Sequence, residues 1–261
     1  MSSQKRMDYA FAVGRVRALE VYLIARAVFE EAAGGRSLAA AMKILMDAGK
    51  FREERVEFQD SNDLDGYLET ERAAVLRDVA SLFREDVFMR IIRERHRPRD
   101  LWHSARELGY PFVRDYVRHL LDLSNLKLSL RARYLELPWE RIEPSLLPGG
   151  FMEVHKFSLY HDLSFTEVGE QLHATPYREV WDRAVDTLLE KGSFSDLERG
   201  IEDFMMRHLR RARRIVFGPE PVFAFALARL KELELVRLIG VGKLLQIPAD
   251  VLHSRISETY V

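Results

Sequence analysis

The 261-residue sequence contains no cysteine, which excludes disulfide bonds, thiolate nucleophiles and metal sites built on sulfur. Long apolar runs are also missing, since the best stretch, Val222 to Ala228, ends at Arg229 and is too short to span a membrane. There is no basic excess either, because the formal net charge is −1. Proteins that mainly hold nucleic acid need such an excess to displace counterions, so the composition disfavours that class.

Motifs of common enzyme classes are absent or incomplete. The segment from Gly240 to Lys243 reads GVGK, but a phosphate-binding loop would place a glycine at Arg237 and a hydroxyl residue at Leu244. We expect close helix packing at these glycines instead. Glu170 and His173 form only half of a di-iron pair. With no nucleophile elbow and no His-Glu-x-x-His pattern, we expect no catalytic residues, metal ligands or cofactors.

Apolar residues recur at spacings of three and four, which predicts amphipathic helices. One series runs from Leu64 to Phe83, and the segment from Phe88 to Ile92 extends it towards Pro98. No run of β-branched residues alternates strictly with polar ones, so the strand signal is poor. The sequence therefore predicts an all-α fold.

Several helix boundaries are marked by capping residues. Ser164 with Glu167, and Ser195 with Glu198, have the spacing of capping boxes, in which the hydroxyl accepts a free N–H and the carboxylate reaches back. Gly192 is placed to end the helix that precedes it. These signals predict where individual helices begin and end.

Two long segments, 111–142 and 221–252, correspond without a gap when every position number in the first is raised by 110. Both begin with proline, and a second proline, Pro138 or Pro248, follows at the same distance. Each segment is predicted to form a long amphipathic helix followed by a short helix that starts at the second proline. We therefore expect two equivalent helical units.

Three segments together carry a resemblance to a known family. The C-terminal segment contains Gly-Pro-Glu-Pro from Gly218 to Pro221, then Glu232, Arg237, Lys243 and a terminal Tyr-Val. The other two segments are YAFAVGRVRALE, from Tyr9 to Glu20, and DLSNLKLSLRAR, from Asp122 to Arg133, which is followed by LLPGGF. In order and spacing they resemble the C-subunit family of V-type, or archaeal-type, rotary ATPases, whose eukaryotic member is the d subunit.

The resemblance implies repeated helical units packed into a funnel or partial funnel, with two copies visible where the family usually has three. We expect the first copy within 1–150 and the second within 151–261. The resemblance also implies a non-catalytic rotor connector, which links the central stalk to the membrane rotor ring and transmits torque for ATP-driven ion transport or ATP synthesis. Such a protein would lie peripherally on the cytoplasmic face of the membrane, without nucleic acid or a small-molecule substrate.

The residues expected to contact the stalk and ring are polar side chains on the long helices, together with arginines of the basic run 207–214. They are Asn125, Arg131, Arg133, Glu234, Arg237, Lys243, Arg210, Arg211 and Arg214. A second interpretation is that the helix side chains pair with each other and with helix ends, because each would cost about 1–3 kcal/mol if buried alone.

The basic run 207–214 leaves a function of another class open. On a helix these side chains spread around most of the circumference, so a solvated and salt-bridged surface is the first interpretation. An acidic partner or anionic lipid headgroups come second. The alternative function is a helical nucleic-acid-binding or regulatory protein that uses this arginine-rich face.

Overall fold

The computed structural model describes residues 3–261, and every regular element in that range is helical. The α-helices are α1 (Ser3–Met7), α2 (Ala10–Leu19), α3 (Arg26–Gly34), α4 (Leu38–Ala48), α5 (Ser61–Ala80), α6 (Asp86–Glu94), α7 (Leu101–Arg106), α8 (Pro111–Tyr134), α9 (Trp139–Ile142), α10 (His155–Asp162), α11 (Phe165–Gln171), α12 (Arg178–Lys191), α13 (Ser195–Arg210), α14 (Glu220–Leu244) and α15 (Ala249–Arg255). Short 3-10 turns lie between some of them. The predicted all-α fold is confirmed.

The chain divides into two compact units. The first comprises the described residues of 1–92 together with 206–261, and the second comprises 93–205. In the first unit, α14 packs against α2, α3, α4 and α5. In the second, α8 packs against α7 and α10, and α11 packs against α12. The predicted division into an N-terminal part, 1–150, and a C-terminal part, 151–261, each with one copy of the repeat, stays a prediction.

Helix α14 is the centre of the first unit. Every side chain from Glu220 to Leu230 is buried, so this stretch has no solvent-facing side. The remainder of α14 packs into an apolar cluster with α3, α4 and α5. A Cβ atom at Gly240 would collide with Leu64, and one at Gly242 would collide with Leu252. The glycines of the GVGK segment therefore permit close packing, as expected.

The apolar series that begins at Leu64 does not form one continuous helix. Helix α5 ends at Ala80 and α6 begins at Asp86. The Tyr9 hydroxyl donates to the Glu85 carboxylate and accepts the Arg84 backbone N–H at 3.2 Å. A contact distant in sequence therefore fixes this turn, and helical periodicity alone does not reveal it.

The capping predictions have different outcomes. Ser164 and Glu167 form the predicted capping box at the start of α11. Gly192 ends α12 with a left-handed φ of 61°, as predicted. The second box is wrong, because Ser195 is the first residue of α13 and the Glu198 carboxylate bonds two basic side chains of α8 instead. Ion pairs between α13 and α8 therefore replace the predicted bond from Glu198 to its own helix start.

Helices α8 and α14 end in the same way, at positions that correspond in the predicted repeat. Glu136 and Gln246 both have left-handed backbone, with φ of 52° and 56°. The next amide in each case donates to the carbonyl five residues earlier, at 2.8 Å in both helices. This is the Schellman arrangement, here with a side chain where glycine is usual.

The segments that follow the two helix ends also correspond. Pro138 and Pro248 both have extended backbone, with ψ of 149° and 144°, and each precedes a short helix. Residues 121–147 have the same class of solvent exposure as residues 231–257 at all but three positions. These local features support the predicted repeat.

Replacing the left-handed residues by glycine tests the equivalence of the two ends. We expect Glu136→Gly and Gln246→Gly each to raise the free energy of unfolding by about 0.5–1 kcal/mol, because an L side chain is strained at positive φ. Urea unfolding of the full chain measures this change. Leu135→Gly is the control and should lower the free energy, since φ at Leu135 is −90°. Effects of opposite sign at Glu136 and Gln246 would contradict the equivalence.

Candidate functional site on the two long helices

At the end of the fully buried stretch of α14, Arg229 forms an ion pair with Glu232, and the two side chains are 8% and 4% exposed. Backbone groups complete the pair. The Ile24 N–H donates to the Glu232 carboxylate at 2.5 Å, and Arg229 donates to the Lys50 carbonyl at 2.6 Å. Burial raises the pKa of Glu232 to about 7, although Arg229 opposes this shift. The pair holds two separate chain segments against α14.

Asp122 of α8 occupies the position that corresponds to Glu232 in the predicted repeat, and it makes the same kind of contact. Its buried carboxylate accepts the N–H groups of Phe151 at 2.8 Å and Met152 at 3.1 Å. The Tyr177 hydroxyl donates to it at 2.7 Å. Burial raises the pKa of Asp122, while these hydrogen bonds act in the opposite direction. Here the acid fixes the loop that follows its own helical unit.

Asn125 fixes the same loop one helical turn further along. Its side-chain amide donates to the Leu147 carbonyl and accepts the Leu147 N–H, both at 2.8 Å. Gly149 has φ of 101°, and a Cβ at Gly150 would collide with the Asp122 carboxylate. The acid, the amide and the Gly-Gly turn seen in the sequence therefore form one structural unit.

Lys243, a predicted contact residue, lies at the end of another helix. Its ammonium donates to the carbonyls of Ala33 at 2.5 Å and Gly35 at 2.7 Å, at the C-terminal end of α3. A cation is favourable there, because the last carbonyls of a helix lack partners and carry partial negative charge. Lys243 therefore ties α14 to α3.

The other two predicted residues of α14 are closer to solvent. Arg237 forms a bidentate pair with Asp65 at 2.7 and 2.9 Å, and its side chain is 56% exposed. Glu234 is 39% exposed, with its carboxylate 3.7 Å from the Lys231 ammonium. Neither pair is buried, so neither is expected to contribute much to stability.

The predicted arginines of α8 contact other helices and loops of the second unit. Arg131 bonds Glu198 of α13 at 2.6 Å. Arg133 donates to the Leu163 carbonyl and lies 4.6 Å from the centre of the Phe165 ring. Burial lowers the pKa of Arg133. Both side chains join α8 to elements that follow it in sequence.

The basic run 207–214 separates into engaged and exposed residues. Arg210 donates to the Thr259 carbonyl at 2.7 Å and to the Glu258 carboxylate at 2.6 Å, and this contact holds the pKa of Glu258 below its usual value. Arg211 and Arg214 are exposed, and neither forms an ion pair within the described part of the chain. The run therefore does not act as one uniform basic face.

Arg17 holds the turn that carries these exposed arginines. Its guanidinium donates to the carbonyls of Ala212 at 2.9 Å, Arg213 at 3.1 Å and Ile215 at 3.1 Å, and it pairs with Glu20 at 2.7 Å. Sequence reasoning missed Arg17, although it lies within the N-terminal helix that carries the family resemblance. A charged residue on an amphipathic helix gives no signal of contacts with the far end of the chain.

These polar side chains bond mainly to backbone groups and to charged side chains of other segments, and these bonds fix the positions of several loops. Within residues 3–261, no group of three or more acidic or histidine side chains could hold a metal ion. No helix in the same range is long and apolar enough to cross a membrane.

Comparison with known proteins assigns a family to this arrangement. The model of the ATP synthase (C/AC39) subunit family matches residues 98–255, more than half of the chain. The chain belongs to the ATP synthase (C/AC39) subunit family. All nine predicted contact residues lie within the range matched by the C/AC39 family, as do Asp122 and Glu232.

Curated relatives in the C/AC39 family include three that are described as the C subunit of an A-type ATP synthase. The protein of Methanothermobacter thermautotrophicus is 26% identical over 226 residues, which cover 81% of this chain and 58% of the relative. That of Desulfurococcus sp. (strain SY) is 30% identical over 150 residues, or 53% and 40% of the two chains. That of Pyrococcus abyssi is 27% identical over 135 residues, or 51% and 35%. The chain spans about half the length of the curated relatives it matches.

The resemblance to the C-subunit family is thus confirmed, and the structure adds what the predicted contact residues do within the chain. Seven of the nine bond or face other residues of their own unit, whereas Arg211 and Arg214 are exposed. A role in binding other subunits stays a prediction for all nine. Glu232, which is not among the nine, is a buried acid of α14, whereas Glu234 is 39% exposed.

Replacing Lys243 and Arg237 separately tests which of them supports the fold. We expect Lys243→Met to lower the free energy of unfolding by about 1.5–3 kcal/mol, because two carbonyls at the C-terminal end of α3 lose a charged donor. Arg237→Met should change it by less than about 1 kcal/mol, since its pair with Asp65 is largely exposed. Urea unfolding of the full chain gives both values. Equally small effects would show that Lys243 does not hold α3.

Proposed function

We propose that the chain is a non-catalytic connector in the central rotor of a V/A-type rotary ATPase. It would link the central stalk to the membrane rotor ring and transmit torque for ATP-driven ion transport or ATP synthesis. The family match over residues 98–255 carries this proposal, together with the description of the relatives as the C subunit of an A-type ATP synthase. The chain would lie peripherally on the cytoplasmic face of the membrane.

The internal contacts suit a part that carries mechanical load. Packed helical interiors transmit strain because they cannot deform continuously. The long helices α8 and α14 add buried hydrogen bonds to the packing, from Asp122 and Asn125 in one unit and from Arg229 and Glu232 in the other. Each bond ties a loop or distant segment to a long helix, so loops that would otherwise move are held in place.

We further propose that the turn containing Arg211 and Arg214 contacts one of the partner subunits. These side chains are exposed, and Arg17 fixes the backbone that carries them. Val216 and Phe217 follow directly and are 67% and 43% exposed. Arginine beside an exposed aromatic side chain is the composition found at the centre of many protein interfaces. An acidic patch on the partner would complement this turn.

Co-expression with the stalk and ring subunits of a rotary ATPase from the same organism tests both statements. We expect the wild-type chain to co-purify with both subunits. The double variant Arg211→Glu, Arg214→Glu should keep its melting temperature but bind one subunit at least about tenfold more weakly, because an acidic partner would then be repelled. Arg36→Glu, at an exposed position elsewhere in the first unit, is the control and should behave as wild type.

The outcomes separate the two statements. Failure of the folded wild-type chain to bind either subunit would contradict the connector function. Normal binding by the double variant would leave the connector function standing and remove the turn from the interface.

A further inference from the structure

A cavity of about 330 Å³ lies within the first unit, between α2, α5, the beginning of α14 and the segment 50–52. We propose that it binds a small anionic amphiphile, a molecule with one negatively charged headgroup and an apolar body. The proposal does not rest on the rotor function, because none of the residues predicted to contact the stalk or ring lines the cavity.

The walls of the cavity are mostly apolar. Aliphatic side chains come from α2, from α5 and from the turn that follows α5, and aromatic rings come from the segment 50–52 and from α14. They include Leu19, Val75, Val79, Leu82, Phe51 and Phe225. Ligand pockets in proteins typically have such walls, a volume of about 300–1,000 Å³ and a few placed polar groups. The cavity therefore has the size and lining to hold the apolar body of a small molecule.

The acidic groups at the cavity are already bonded within the protein. The Asp78 carboxylate pairs with the Arg52 side chain at 3.2 Å, and Glu71 accepts the Arg52 backbone N–H at 3.0 Å. Arg229 is paired with Glu232. The lining holds four basic side chains and only two acidic ones, so there is no excess of negative charge to attract a cationic ligand.

Two cations at the cavity have no such partner. Arg15 and Lys50 are exposed, and neither forms an ion pair within residues 3–261. The Lys50 ammonium lies 5.1 Å from the centre of the Tyr22 ring, which also lines the cavity. Arg15 comes from α2, and Lys50 comes from the segment 50–52. An anionic headgroup at the mouth would interact favourably with both, whereas a cationic one would be repelled.

The dimensions favour a small molecule over a partner helix. Docking of an amphipathic helix uses an elongated groove that receives side chains from at least two helical turns. The cavity is a single site, and its wall on one side is formed by the α14 residues Phe225 and Arg229, which are 6% exposed. We therefore assign it to one amphiphilic molecule.

Isothermal titration calorimetry of the full chain with decanoate, below its micelle concentration, tests the proposal. We expect binding of one decanoate per chain, with decanol and decylammonium at least tenfold weaker, because only decanoate carries the matching charge. Arg15→Ala and Lys50→Ala should each weaken decanoate binding by about 3- to 10-fold. Ala74→Leu, which adds carbon atoms to the cavity wall, should weaken it further. Arg36→Ala is the control and should bind as wild type.

The same variants distinguish the source of the amphiphile. Binding to phosphatidylglycerol vesicles that is lost in Arg15→Ala and Lys50→Ala would assign the site to a membrane lipid, whereas binding of decanoate alone would assign it to a free amphiphile; either result supports the site. The proposal is overturned if the folded wild-type chain binds no decanoate, or if decanol binds as tightly. It is also overturned if Arg36→Ala weakens binding as much as Arg15→Ala.

Discussion

Charged and amide side chains buried on α8 and α14 must find hydrogen-bond partners, and the placement of several loops depends on this requirement. A buried charge that loses its partner costs about 3–5 kcal/mol. Arg229 and Glu232 therefore bind each other and also the backbone of Ile24 and Lys50. Each long helix thus holds backbone that lies beyond its own ends. These loops cannot open without breaking buried hydrogen bonds to the helix.

Both copies of the proposed repeat place a buried carboxylate on the long helix, where it bonds backbone outside that helix. An acid stands at position 122 in α8 and at position 232 in α14, and each accepts backbone N–H groups from a segment outside the helix. The segments differ, because Asp122 holds the loop that follows its own unit, whereas Glu232 holds the chain near Ile24. In the second copy the contact therefore joins the N-terminal part of the chain to its C-terminal part. The two copies therefore share the carboxylate on the long helix but differ in the chain segment that it bonds.

The sequence was sufficient for the all-α fold, for the capping box at Ser164 and for the family. It was not sufficient to identify which polar residues of α14 are buried. Periodicity finds the apolar face of a helix, but the first part of α14 is buried on all sides and has no such face. For this reason the sequence does not predict that Arg229 is buried, and it gives no signal for the contacts of Arg17. Contacts between distant segments decide these roles, and a single sequence does not record them.

Native-state hydrogen exchange of the loop amides tests most directly whether buried side chains hold the loops. The four amides that donate to Asp122, Asn125 and Glu232 belong to Ile24, Leu147, Phe151 and Met152, all outside regular helices. The account predicts that these amides exchange nearly as slowly as those in the middle of α8 and α14. It also predicts that Asp122→Ala accelerates exchange at Phe151 and Met152 but not at Ile24. The account would be contradicted if all four amides exchanged as fast as those of the exposed loop residues 53–54.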